Sequence, residues 1–156
     1  MDGFMVYLRL KLNRHYFMGK IVAYLRASTD KQDLNHQKLE ILDFARKKEI
    51  RIDEFVEITI SSRKTSKQRR IDELVGMLSE ADTLVVTELS RLGRSTAEVI
   101  VLINALVQRN VRVITIKQNL DIASQDMNSK IIITLFSLFG ELERDLISLR
   151  TKEALA

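Results

Sequence analysis

Two short stretches of this 156-residue chain carry residues able to work on a phosphate. The first, Tyr24-Leu25-Arg26-Ala27-Ser28-Thr29-Asp30-Lys31-Gln32, sets an arginine two residues ahead of a serine. A serine hydroxyl is a weak nucleophile until something activates it. A guanidinium beside it can neutralise a phosphate and the charge that develops there during reaction. Taken alone, the stretch is more simply read as a helix-capping serine next to a solvated arginine. The second, Ser90-Arg91-Leu92-Gly93-Arg94-Ser95, flanks a glycine with arginines just before a helix start. Backbone N–H groups at a helix N-terminus attract anions, and two arginines so spaced could clamp one phosphate. A basic capping turn is the plain alternative.

These stretches must be held by regular elements, and the hydrophobic pattern supplies them. Residues 20–25 (KIVAYL) form a short apolar run that predicts a buried strand. Residues 34–48 carry Leu39, Leu42 and Ala45 at helical spacing. Residues 51–57 alternate Ile52, Phe55 and Val56 with polar residues, a second strand. Residues 58–68 are polar and serine-rich, a mobile loop, and Arg63, Lys64, Lys67, Arg69 and Arg70 crowd this region. Ile71, Leu74, Val75 and Leu78 mark a helix, residues 83–89 (TLVVTEL) a strand, and residues 111–117 (VRVITIK) another. Ser95 with Glu98 three residues later spells a capping box, and the helix behind it places Val99, Leu102, Ile103 and Leu106 on one face. Strands alternating with helices predict an α/β domain with a largely parallel sheet. In such sheets ligands bind beyond the carboxyl ends of the strands. Both arginine-bearing stretches follow a strand, so they fall on the same sheet edge.

The last thirty residues contain one helix-weakening position, Gly140, at a cost of about 1 kcal/mol. A helix over 127–156 would span roughly 45 Å. Ile131, Leu135, Leu138, Leu142, Leu146 and Leu149 make one apolar stripe, and Ile132, Phe136, Phe139 and Ile147 a second beside it. A surface helix of a small domain usually needs one stripe. Two fit either a helix shared between its own domain and a second subunit or a central core helix.

Composition narrows the chemistry. There is no cysteine, which removes disulfides and thiolate metal sites. The only histidines are His15 and His36. A zinc or iron site would therefore need carboxylates almost throughout, against the ligand preferences of those metals. His36 lies on the first predicted helix and reads as a surface residue. The net charge of +4 suits a nucleic-acid partner without requiring one. No apolar run is long enough to cross a membrane. Residues 1–17 lack a continuous apolar core and a cleavage site, so they read as an appendage before the domain rather than a signal peptide. Cytoplasmic location is the default expectation.

Together the two stretches resemble the serine recombinase family, the resolvases and DNA invertases. The resemblance rests on YLRASTDKQ at 24–32, Gln37, LSRLGRS at 89–95 and GELERDLISLRT at 140–151, and it covers 20–151 in matching order and spacing. It implies a resolvase-like catalytic domain over 18–126, after an extension at 1–17, with a mostly parallel sheet of four or five strands flanked by helices. It implies a long dimerisation helix over 127–156. It also implies that Ser28 attacks a DNA phosphodiester, forming a 5′-phosphoserine bond and releasing a 3′-hydroxyl. Arg26, Arg91 and Arg94 match the arginines around that phosphate, Gln32 and Gln37 the active-site glutamines, and Tyr24 the supporting tyrosine. Arg144 and Arg150 match arginines of the long helix that order the active tetramer. A further active-site arginine of the mobile loop matches Arg69, with Arg70 adjacent. The implied partners are DNA and further copies of the chain, a dimer that becomes a tetramer during strand exchange. No metal, nucleotide or other cofactor is implied.

Two departures from the family pattern stand out. Many members carry aspartate where Ser90 stands, and serine can neither accept a bidentate arginine nor serve as a carboxylate base. Either that carboxylate is dispensable or Ser90 hydrogen-bonds the phosphate directly. Small members also continue into a helix-turn-helix that reads DNA in the major groove; the sequence ends at Ala156 before one, so weak and salt-sensitive DNA binding is expected. Two other functions remain in view, a non-catalytic oligomerisation module and a small phosphate-binding α/β enzyme.

Overall fold

The computed structural model describes Met5 and residues 19–28, 31–59, 67–124 and 126–155, with backbone only for 67–71. The appendage at 1–17 (Met5 apart), Arg63, Lys64 and the side chains of Arg69 and Arg70 lie outside the described residues.

The chain runs β1 (Ile21–Ala27), α1 (Lys31–Lys48), β2 (Glu54–Thr59), α2 (Lys67–Met77), β3 (Thr83–Val86), a single 3-10 turn (Leu89–Arg91), α3 (Thr96–Gln108), β4 (Arg112–Thr115), β5 (Leu120–Ile122) and α4 (Met127–Leu155). The sheet order is β2-β1-β3-β4-β5. β1 pairs parallel with β2 and β3, β3 parallel with β4, and β5 returns antiparallel along β4. The α/β domain with a mostly parallel sheet is therefore as expected.

Period-two alternation divides the strands between two cores. Val22, Tyr24, Leu84, Val86 and Val113 face one side, where α2 contributes Leu74 and the chain just after it Leu78, and α3 contributes Val99, Leu102, Ile103 and Leu106. Ile132, Ile133 and Phe136 of α4 close that core. Ile21, Ala23, Leu25, Val85 and Ile114 face the other side, onto Ile41 of α1 with Leu34 and Phe44 packed around it.

Several boundaries differ from the sequence reading. β2 starts at Glu54, and Ile52 instead packs from the connection ahead of it. The third strand ends at Val86, and Leu89 opens the 3-10 turn. α1 forms, but its buried face is Gln37, Ile41 and Ala45, while Leu39 is 65% exposed and Leu42 44%. Helical spacing identifies a helix from any two of its faces, and the core selected the one carrying a glutamine. The expected loop at 58–68 gives Ile58 and Thr59 to β2 and Lys67 and Gln68 to α2.

The long helix is continuous over 29 residues, about 43 Å. Asp126 caps it, accepting from the N–H groups of Asn128 and Ser129. Gly140 marks where α4 crosses α3: a Cβ there would stand 2.9 Å from Ile100 Cδ1. Beyond Gly140 every described residue of α4 is exposed. Among the described residues of one copy, then, α4 is not a central core helix.

Candidate active site at the strand ends

The strand order reverses direction between β1 and β3. In an open α/β sheet, that switch point leaves a crevice at the carboxyl ends of the strands. Ser28 follows β1 directly, exposed at this end of the sheet. The turn carrying Ser90, Arg91, Gly93 and Arg94 follows β3. The expected convergence of the two stretches is realised.

Arg26 is the hinge of the arrangement. The alternation of β1 points it to the same side as Val22 and Tyr24, toward the start of α3. Its Nη2 donates to the carbonyls of Ser90 (2.8 Å) and Gly93 (3.2 Å). These two bonds orient the guanidinium. Gln37, on the buried face of α1, brackets the same residue from the other side. Its Oε1 accepts from the Arg26 N–H and its Nε2 donates to the Arg26 carbonyl, each at 3.1 Å. The edge of β1 that a neighbouring strand would otherwise satisfy is thus satisfied by a side chain.

Arg91 is held differently. Its Nη1 and Nη2 donate to the two carboxylate oxygens of Asp33, at 2.8 and 3.1 Å, and Nη1 also reaches the Arg26 carbonyl at 3.1 Å. Glu88 Oε1 lies 3.2 Å from Nε, near enough for attraction between charges but out of line for a hydrogen bond. Lys117 Nζ sits 3.6 Å from the other oxygen of Glu88. Most donors of Arg91 are engaged within the chain, so Arg91 and Arg94 differ in how open they are to a phosphate. Arg91 ties α1, β1 and the turn together, whereas the exposed Arg94 side chain has no partner among the described residues.

The start of α3 is built as the sequence suggests, with one shift. Ser95 accepts from the Glu98 N–H at 3.3 Å. The Glu98 carboxylate reaches back to the N–H of Arg94 at 2.7 Å rather than to that of Ser95. Gly93 packs against this turn: a Cβ there would stand 2.8 Å from Glu98 Cβ and 3.0 Å from Val99 N.

Among the remaining candidates, Tyr24 is buried beneath the site and Gln32 is exposed in the first turn of α1. Ser90 takes part through its carbonyl, and its side chain is exposed. Arg69 and Arg70 lie in the first turn of α2 by backbone position. Arg144 donates to the Gly140 carbonyl within its own helix, and Arg150 is exposed further along; neither has a described contact with the strand ends. Asp33 and Glu88 escaped the sequence reading. An acid in the first turn of a helix already has a local explanation in the helix dipole, and nothing local announces a partner 58 residues away. Two ionisations away from the strand ends are shifted. A hydrogen bond to Glu54 raises Lys20, and hydrogen bonds from Lys47 and Arg46 lower Asp43. Among the described residues, no group of acids and histidines could hold a metal ion, and no helix is long and apolar enough to cross a membrane.

Comparison with known proteins agrees with this geometry. Residues 21–156 match the family model of the resolvase N-terminal domain. A resolvase of Clostridium perfringens is 34% identical over 136 residues, covering 86% of this chain and 69% of the relative. The transposon Tn552 DNA-invertase BinR of Staphylococcus aureus is 32% identical over 126 residues, covering 81% of this chain and 62% of its own length. A crystal structure of a resolvase family site-specific recombinase from Streptococcus pneumoniae superposes with a TM-score of 0.66 at 25% identity, covering 87% of this chain and 95% of that one. The N-terminal catalytic domain of TP901-1 integrase shares the fold, with a TM-score of 0.61 at 21% identity over 82% of this chain and 98% of that one.

Proposed function

Since this chain belongs to the resolvase family of site-specific recombinases, we propose that Ser28 is the nucleophile with which it cuts and rejoins DNA. The Oγ of Ser28 attacks the phosphorus of a phosphodiester. The P–O3′ bond breaks, the 3′-oxygen leaves as a hydroxyl after taking up a proton, and a 5′-phosphoserine ester remains. Rejoining is the reverse: a 3′-hydroxyl attacks the ester, and Ser28 leaves with its hydroxyl restored. One phosphate ester is exchanged for another in each direction, so no external energy source is required.

The observation that carries this reading is the placement of Ser28 at the exposed end of β1, two residues beyond Arg26. The carbonyls of Ser90 and Gly93 orient the Arg26 guanidinium, and Gln37 clamps its backbone. Phosphoryl transfer asks a protein mainly for positioning and charge stabilisation. In this reading Arg26 and Arg94 face the phosphate, Gln37 fixes the strand that presents Ser28, and Tyr24 supports it from below. Gln32 and Ser90 border the same edge, and in this reading Arg69 and Arg70 are further candidates to meet the phosphate.

Association between copies falls to α4. Leu142, Leu146 and Leu149 are between 54% and 57% exposed, and Phe139 is 59% exposed. An apolar stripe of this length is unusual on a monomer, and a second copy of the chain would cover it. A homodimer, assembling further into a tetramer for strand exchange, follows from that face. Arg150 lies beside the stripe and Arg144 on the far side of α4, and both would order the assembly. Action in the cytoplasm, where the DNA lies, completes the proposal.

The test joins the 156-residue chain to a DNA-binding domain of known site and incubates it with DNA bearing paired copies of that site. A denaturant-resistant adduct on the 5′ end that disappears in Ser28→Ala supports the reading. An adduct that persists in Ser28→Ala removes Ser28 as nucleophile. Stable dimers that bind the DNA without cleaving it would favour an oligomerisation module.

A further inference from the structure

Arg91 is enclosed by groups that come from three separate elements: Asp33 of α1, the Arg26 carbonyl of β1, and Glu88 just after β3. The Asp33 contact is bidentate, the geometry in which a carboxylate fixes both position and plane of a guanidinium. Asp33 and Arg91 keep 32% and 24% side-chain exposure, so the pair lies at the wall of the crevice rather than in open solvent. There screening is weaker than at the free surface. The held guanidinium in turn donates to the carbonyl of Arg26, two residues before Ser28.

We propose that Asp33 is a positioning residue for strand cleavage, acting through Arg91. By locking the guanidinium it fixes the carboxyl end of β1, and with it the approach of Ser28 to the phosphate. Gln37 and the Asp33-held Arg91 both donate to the Arg26 carbonyl. Asp33 itself touches neither the DNA nor the reacting atoms. The inference rests on Ser28 being the nucleophile. A misplacement of about 1 Å at the reacting groups can cost about 100-fold in rate.

The experiment uses the same fusion, with Asp33→Asn and Asp33→Glu. Asp33→Asn should slow single-turnover adduct formation by about tenfold or more, with DNA affinity within about twofold of the wild type. Asp33→Glu, one methylene longer but still a carboxylate, should recover most of the rate. Loss of the helix-dipole contribution alone would lower thermal stability in Asp33→Asn without changing the rate, and that result overturns the proposal. A faster rate also overturns it, since it would make Asp33 a competitor of the phosphate for Arg91. A second readout needs no cleavage. In 15N-arginine-labelled chain, the resonance of the Arg91 Nη–H donated to Asp33 should be sharp and protected in the wild type and broadened by Asp33→Asn. Persistence of the sharp resonance in the variant refutes the positioning role whatever the adduct shows. Absence of an adduct in the wild type would instead count against the assignment of Ser28.

Discussion

The side-chain amide of Gln37 pairs in both directions with the backbone of Arg26, accepting from its N–H and donating to its carbonyl at 3.1 Å each. A glutamine on the buried face of a helix thus does for the end of β1 what a neighbouring strand does elsewhere in the sheet. It also links the packing of α1 to the strand end that carries the nucleophile in the proposed reaction.

Replacing Gln37 with Leu keeps the volume and removes both bonds. An unpaired buried polar group costs about 1–3 kcal/mol, so Gln37→Leu should lower the free energy of unfolding by that amount in urea titration. The adduct rate should fall further than stability alone explains. Gln37→Glu keeps an acceptor for the Arg26 N–H but turns a carboxylate oxygen toward the Arg26 carbonyl, and should be no better than Leu at neutral pH.

Arg94 is the exposed cation of the turn, while Arg91 is engaged by carboxylates. Removing one cation that pairs with a phosphate reduces the slope of log affinity against log salt by about 0.9. Arg94→Gln should therefore flatten that slope by about one unit in a titration of the fusion with duplex DNA. An unchanged slope would mean that Arg94 does not meet a phosphate.

The stripe on α4 makes a separable prediction. Substituting Leu142, Leu146 and Leu149 together by Glu should give a monomer by sedimentation. The thermal midpoint of the α/β domain should barely move, because these side chains are exposed within the chain. Sedimentation unchanged by the triple substitution would place the association surface elsewhere.

Two glycines should respond differently to alanine. At Gly19 a Cβ would fall 2.5 Å from the backbone carbonyl of Ala81, which cannot swing aside. Gly19→Ala should cost about 2 kcal/mol or more, at the upper part of the range for overpacking. At Gly140 the obstacle is the Cδ1 of Ile100, the free end of a side chain, and alanine favours the helix by about 1 kcal/mol. Gly140→Ala should be near neutral in thermal denaturation.

Thr115 buries its hydroxyl without a hydrogen-bond partner among the described residues. Thr115→Val preserves shape and removes the unsatisfied oxygen, so it should stabilise the domain by about 1 kcal/mol. Destabilisation on calorimetry would indicate that the hydroxyl is satisfied by water.

The sequence by itself determined the class of fold and picked out the two stretches proposed to carry the chemistry. Alternating and helical spacings are local properties, so TLVVTEL and VRVITIK announced strands, and Ser95 with Glu98 announced the start of α3. Ser28, Arg26, Arg91 and Arg94 were legible because their spacing within two short stretches carries the pattern. β5 was not singled out, since three residues after a turn are too short for any period. The buried face of α1 was missed because Leu39 and Leu42 look like core residues until the sheet is in place, and the sheet chose Gln37, Ile41 and Ala45. Only the tertiary structure could separate the roles of the two turn arginines. Asp33 and Arg91 stand 58 residues apart and meet because β1 and β3 are neighbours in the sheet. It also decided between the two readings of the long helix: Gly140 crosses Ile100, and past that point none of the described residues covers the stripe. Local spacing can state which residues are present, but the partners that fix a charge or leave a face uncovered are set by contacts between segments distant in the chain.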